Sequence, residues 1–298
     1  MTRRWLYLSV LILMGLGWGA TQPLGKIATS TGHQYLGLIF WQLVIGALVL
    51  GSMLVLTRRT VPINRATLGF AVMIAMIGTI IPNSTFYYSV VHLPAGIMSI
   101  LISTVPLMAF PIALAVGTDR FSLIRFSGLL CGLLGVILIA APAGALPDAA
   151  MAAFLPIAMV GPLFYAIEGN YVAKFGTAGM DAVQAMFLAS LSGAVITLPL
   201  ALWSGHFFNP FNNWGVAETA LSASSVIHCM AYAAYVWLAV RVGAVFAAQT
   251  SYIVTGTGVI WAMALLGERF SPWVWAALAV MLLGLTLVQP HEKAPQSV

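Results

Sequence analysis

Residues 119–122 read Asp119-Arg120-Phe121-Ser122, and residues 268–271 read Glu268-Arg269-Phe270-Ser271. The two tetrads match position by position at a spacing of 149 residues, half of a 298-residue chain. Self-similarity at a fixed spacing is the mark of a duplicated unit. The local residues have a plainer reading as well: charged interfacial turns that end one helix and start the next.

The surroundings of the tetrads decide which solvent the duplicated unit lives in. The chain is 61% hydrophobic and 6% charged, with a mean hydropathy of +1.00. A water-soluble fold would lack polar surface to cover its exterior. Apolar runs fall at roughly residues 5–27, 35–57, 67–90, 95–116 and 123–141, and again at 151–173, 181–203, 217–240, 244–266 and 272–289. Each is close to the ~20 residues that span a hydrocarbon core. The expected fold is an all-α integral membrane protein of ten transmembrane helices. Residues 1–145 form the first five-helix repeat and residues 146–298 the second.

Five is an odd number, so the second repeat crosses the membrane in the opposite sense to the first. Ten crossings also place both termini on one side. Arg3, Arg4, Arg58, Arg59, Arg65, Arg120, Arg125, Lys174, Arg241 and Lys293 then share that side, leaving Lys26 and Arg269 opposite. The positive-inside rule makes both termini cytoplasmic. Arg3 and Arg4 ahead of an apolar run resemble a signal peptide. The run continues to about Ile27 with no Ala-x-Ala site, and is read as the first membrane helix.

The net charge of +5 is scattered singly or in pairs, with no basic face, so no nucleic-acid partner is expected. Cys131 and Cys229 lie inside apolar runs, as packing residues do. The seven carboxylates are mostly in loops. HExxH, GxSxG and a Gly-rich phosphate loop are missing, which makes a membrane enzyme the less favoured reading. No ATP-binding signature is present either. No ring of like charge or repeated filter segment marks a channel. Inverted repeats are the design that alternating access uses directly, so a secondary transporter is the leading expectation.

The Leu16-Gly17-Trp18-Gly19 stretch, Pro106, the Leu266-Gly267-Glu268-Arg269 turn and the Gly-rich run Gly128 to Gly135 together resemble the EamA family of the drug/metabolite transporter superfamily, over essentially the whole chain. Within it the chain looks like the aromatic amino-acid exporter branch. The resemblance implies two inverted five-helix repeats around a central cavity and export of metabolites such as amino acids. One departure is that Thr255 stands where the second repeat would carry the counterpart of Pro106, so the halves are not expected to be equally kinked. A cationic multidrug exporter is the alternative function. A small multidrug exporter would carry an acidic residue in the first helix, where this sequence has Trp18 and no carboxylate.

Polar groups halfway along an apolar helix face inward or pair, because an unpaired one in lipid costs several kcal/mol. Trp18 and Gln22 share a face of the first span, Asn83 and Tyr87 one of the third past Pro82, and Ser99 and Ser103 one of the fourth. Tyr165 and Glu168 share a face of the sixth, His228 and Tyr232 one of the eighth, and Gln249, Tyr252 and Thr255 roughly align on the ninth. These stripes predict an aromatic-walled cavity with amide and hydroxyl groups, suited to a small zwitterion with an apolar or aromatic side chain.

Each stripe also has a bland reading. Ser99 and Ser103 suit helix packing, and His228 suits a hydrogen-bonded structural role as well as a proton relay. Glu168, a carboxylate within a span, marks function by default, as a coupling or substrate-ammonium site. Its alternative is a place close enough to Lys174 at the cytoplasmic end to reach water or to pair. Trp5, Trp203, Trp214, Trp273 and Trp275 are assigned to the interfacial belt. The Gly128-x-x-x-Gly132 pair predicts a close helix approach within the monomer. The expected setting is a monomer in the cell (inner) membrane, a multi-pass protein whose partners are the lipid bilayer and a small-molecule substrate, without cofactor or metal.

Overall fold

The computed structural model describes residues 3–140, 146–242 and 250–287, and these contain helices and no strand. In chain order the helices are α1 Arg3–Ala28, α2 Tyr35–Leu56, α3 Arg65–Ile74, α4 Ile81–His92, α5 Ala95–Ile102, α6 Thr104–Ala115 and α7 Leu123–Ala140. They continue with α8 Leu155–Phe175, α9 Ala182–Trp203, α10 Val216–Val242, α11 Thr250–Leu266 and α12 Pro272–Leu287. Among the described residues seven helical stretches are long and apolar enough to cross a membrane, and α11 and α12 are shorter apolar helices.

Local chemistry sets the boundaries. The Asn64 side chain accepts from the backbone N–H of Ala66 and Thr67 while Thr67 reaches back, a capping box that starts α3. Asp181 and Gln184 repeat the device at α9. Gly267, at φ 65°, ends α11 in the left-handed region that glycine enters without steric cost.

Two interruptions matter for the interior. Pro82 has no N–H to offer the carbonyl of Gly78, and residues Ala75–Ile80 between α3 and α4 widen into a π-helical turn. Pro106 cannot serve the carbonyl of Ile102, and the fourth apolar run breaks into α5 and α6 at Ser103, whose N–H bonds Ile100 three residues back. In the second half α11 runs unbroken through Thr255, so the two halves are kinked unequally over the described residues.

First-half helices pack on second-half helices throughout. α1 lies against α10 and α11, α2 against α9, α7 against α12, and α4 and α6 against α8. Between apolar helices in lipid, close packing rather than water exclusion holds the interface, so small residues sit at the crossings. A methyl at Gly284 of α12 would stand 2.7 Å from the carbonyl oxygen of Gly128 and 3.0 Å from Cβ of Cys131. The Gly128-x-x-x-Gly132 pair is therefore used inside the chain. Both cysteines are free and half-buried, and all five tryptophans assigned to the belt are exposed.

The bundle has two ends. At one, Lys26 of α1 donates to Glu268 (3.1 Å) and to the Leu93 carbonyl (2.9 Å), and the His92 ring stacks on Phe154 just before α8. The far end of α8 therefore marks the other end, where Lys174 donates to the Val116 carbonyl at 3.0 Å. Arg59 pairs there with Asp181 at 2.7 Å, and Gln184 donates to the Thr60 carbonyl at 2.6 Å.

Candidate functional site

Between the halves lies a cavity of about 350 Å³, within the range of small-molecule sites. It is bounded by the π turn, the α5–α6 break and residues of α1, α2, α4, α8, α10 and α11. Of the residues singled out by polar stripes, Trp18, Gln22, Asn83, Tyr87, Tyr165, Glu168, His228 and Tyr232 line it.

One wall is a hydrogen-bonded chain. Tyr165 donates its hydroxyl to the Asn83 amide oxygen at 3.0 Å, and the Asn83 amide nitrogen donates to Gln42 Oε1 at 3.2 Å. Tyr87 donates to the same Gln42 oxygen at 3.1 Å. The chain ties α8, α4 and α2 together and fixes the direction of each amide. Tyr87 and Asn83 are deeply buried, where an unmade hydrogen bond would be costly.

A second wall is aromatic. The Trp18 indole N–H donates to His228 Nδ1 at 3.0 Å. An indole can only donate, so Nδ1 accepts and a neutral His228 carries its proton on Nε2. Trp18 also meets Tyr232 and Tyr235 edge to face, with centroids 6.4 and 6.1 Å apart. The amide oxygen of Gln22, one turn along α1, lies buried with no hydrogen-bond partner among the described residues.

Glu168 enters from α8. Its carboxylate lies over Gly78 of the π turn, where any side chain would collide with it. Among the described residues it has neither hydrogen bond nor ion pair, and no Lys or Arg lines the cavity. The pairing with Lys174 is not made: that ammonium is at Val116 and lies 5.7 Å from the centroid of the Phe175 ring. The cavity thus offers one carboxylate, several amide and hydroxyl groups and the faces of aromatic rings. These groups receive an ammonium by charge, hydrogen bonding and cation–π contact.

The other stripe residues lie elsewhere. Ser99 donates to the Ala95 carbonyl (3.1 Å) and packs against Gly258, and Ser103 donates to the Ile100 carbonyl (2.7 Å); both are fully buried in helix packing. Tyr252 is half-buried on α11 and Thr255 is buried, and neither lines the cavity. Gln249 lies outside the described residues.

Gln42 and Tyr235 line the cavity and were not among the expected residues. Gln42 carried a usable signal, a lone amide in the middle of an apolar run. Tyr235 stands three residues beyond Tyr232, on the same helix face. Met98, Ile102 and Val105 form part of the lining, and apolar residues in an apolar helix carry no such signal. No group of three metal-ligating side chains occurs among the described residues.

The family model described as "EamA-like transporter family" matches residues 5–141 and again 153–289, a shift of 148 at both ends. A solved structure described as "Crystal structure of protein" is similar at a TM-score of 0.62 and 14% identity, covering 94% of this chain and 97% of that one. That likeness extends to the fold alone. No curated protein matches the chain.

Proposed function

Since this chain belongs to the EamA-like transporter family, a family of membrane transporters, we propose that it is a secondary exporter of small metabolites bearing an ammonium group. Amino acids with aromatic or apolar side chains come first. The observation that carries this reading is Glu168, a carboxylate without a protein partner among the described residues, opening into an aromatic-walled cavity between the two halves.

The exporter works by alternating access, its inverted repeats rocking around the fixed site in the cell (inner) membrane, with both termini cytoplasmic. Seven candidate spans, two shorter apolar helices and the 27-residue α10 support ten crossings. So do the loop contacts. Lys26, Leu93 and Glu268 stand at the first, third and ninth connections, which alternate crossing puts on one side. Arg59 and Asp181 stand at the second and sixth, on the other. Transport is driven by the substrate gradient or by an ion.

Among the described residues no Lys or Arg lines the cavity, which favours a second reading, export of cationic compounds, because a substrate carboxylate would meet amides, hydroxyls and the Nε2–H of His228 there. Uptake of labelled phenylalanine, tryptophan, threonine and a cationic dye into proteoliposomes separates the two. Saturable amino-acid uptake, competed by unlabelled amino acid and showing counterflow, supports the first. Uptake of the dye alone supports the second. No uptake of any of the four by folded protein overturns both.

A further inference from the structure

The shift of 148 between the matched halves carries Lys26 onto Lys174. The tetrads at 119–122 and 268–271 carry Asp119 onto Glu268. Each repeat therefore supplies a lysine at the end of its first span and a carboxylate between its fourth and fifth spans. Lys26 meets the carboxylate of the other repeat, Glu268, at one end of the bundle. The equivalent cross-repeat pair at the other end is Lys174 with Asp119.

The two ends are in different states. Lys26 and Glu268 are 29% and 13% exposed. Glu268 also accepts from the N–H groups of Ala95 (2.8 Å) and Gly96 (3.0 Å), so one carboxylate ties α1, the first turn of α5 and the α11–α12 turn together. Asp119 is 35% exposed and paired with Arg125, a position whose counterpart in the second repeat is Val274. Lys174 is exposed on the Val116 carbonyl, at the C-terminal end of α6 and three residues before Asp119.

We propose that Lys26–Glu268 and Lys174–Asp119 are repeat-related gates that close alternately, and that in this structure the first pair is made and the second is not. The proposal rests on the transport reading, since only a cavity opened to each side in turn needs two such gates.

The test reads gate closure without substrate. In full-length protein with Cys131→Ala and Cys229→Ala, reconstituted in liposomes, Lys174→Cys and Asp119→Cys are treated with a short bifunctional thiol reagent. Adding Lys26→Met releases the first gate and should raise the cross-linking yield roughly fivefold, the shift that losing one ordinary interaction brings to a two-state equilibrium. Glu268→Gln should do the same, its single amide oxygen still accepting from one of Ala95 and Gly96, and serves if Lys26→Met misfolds. A yield unchanged in both backgrounds, or no cross-link in any, overturns the gates. Lack of phenylalanine, tryptophan, threonine or dye uptake by the unsubstituted protein counts against the transport reading alone.

Discussion

Trp18 and His228 stand 210 residues apart in the chain and are joined by a 3.0 Å hydrogen bond from indole N–H to Nδ1. The bond fixes the imidazole tautomer on one wall of the cavity and links α1 to α10. Trp18→Phe keeps an aromatic ring and removes the donor to His228, leaving a half-buried acceptor unpaired among the described residues at about 1–3 kcal/mol. The loss is expected partly as lower thermal stability and partly as a several-fold higher apparent KM for phenylalanine. If melting temperature and KM both stay at wild-type values, the bond has no such role.

Glu168→Gln conserves shape and removes the charge. With no protein cation to compensate among the described residues, the loss falls on the substrate or on a coupling ion, and transport of ammonium-bearing substrates is expected to cease. Uptake by the purified variant in proteoliposomes measures this, and full activity would sink the assignment.

Gly78 is the floor beneath that carboxylate. Gly78→Ala would drive a methyl into the Glu168 side chain, displacing it from its position over the π turn, and transport should fall by an order of magnitude or so if displacement costs about 1.4 kcal/mol. Gly69→Ala, with nothing within 4 Å of the added carbon, is the control. Equal rates in the two variants would show that the placement of Glu168 is not critical.

Tyr165, Asn83, Gln42 and Tyr87 form one chain of hydrogen bonds. Tyr165→Phe and Tyr87→Phe each remove a terminal donor, at about 1 kcal/mol apiece. Through the shared amides their effects should be non-additive by about 0.5 kcal/mol or more in a double-mutant cycle on thermal stability. Strict additivity would mean the two tyrosines act independently.

Gly284→Ala tests the α7–α12 contact. The added carbon would meet the Gly128 carbonyl at 2.7 Å, and overpacking of this kind costs typically about 1–3 kcal/mol. A lower unfolding temperature is expected, with Gly256→Ala, which has open space, unaffected. Equal unfolding temperatures would remove the contact from the forces holding the halves together.

By itself the sequence determined the solvent and the plan. Runs of about twenty apolar residues cannot be hidden in a soluble chain of this size, and the Asp119 and Glu268 turns at a common spacing show the duplication without coordinates. Eight cavity residues were legible for the same reason: a polar side chain halfway along a span, such as Glu168 or Asn83, must face inward. The rule that found them could not separate lining from packing. Ser99 and Ser103 obey it by bonding carbonyls of their own helix, a local solution that spacing does not distinguish from a binding site. Gln42 satisfied the rule too, yet its role as acceptor for both Asn83 and Tyr87 depends on α2 crossing α4. Only tertiary structure decided that Lys174 goes to Val116 and leaves Glu168 to the cavity, or that Lys26 reaches Glu268 across 242 residues. Periodicity along a helix fixes which face a residue occupies, and which helix meets that face is set by packing between distant spans.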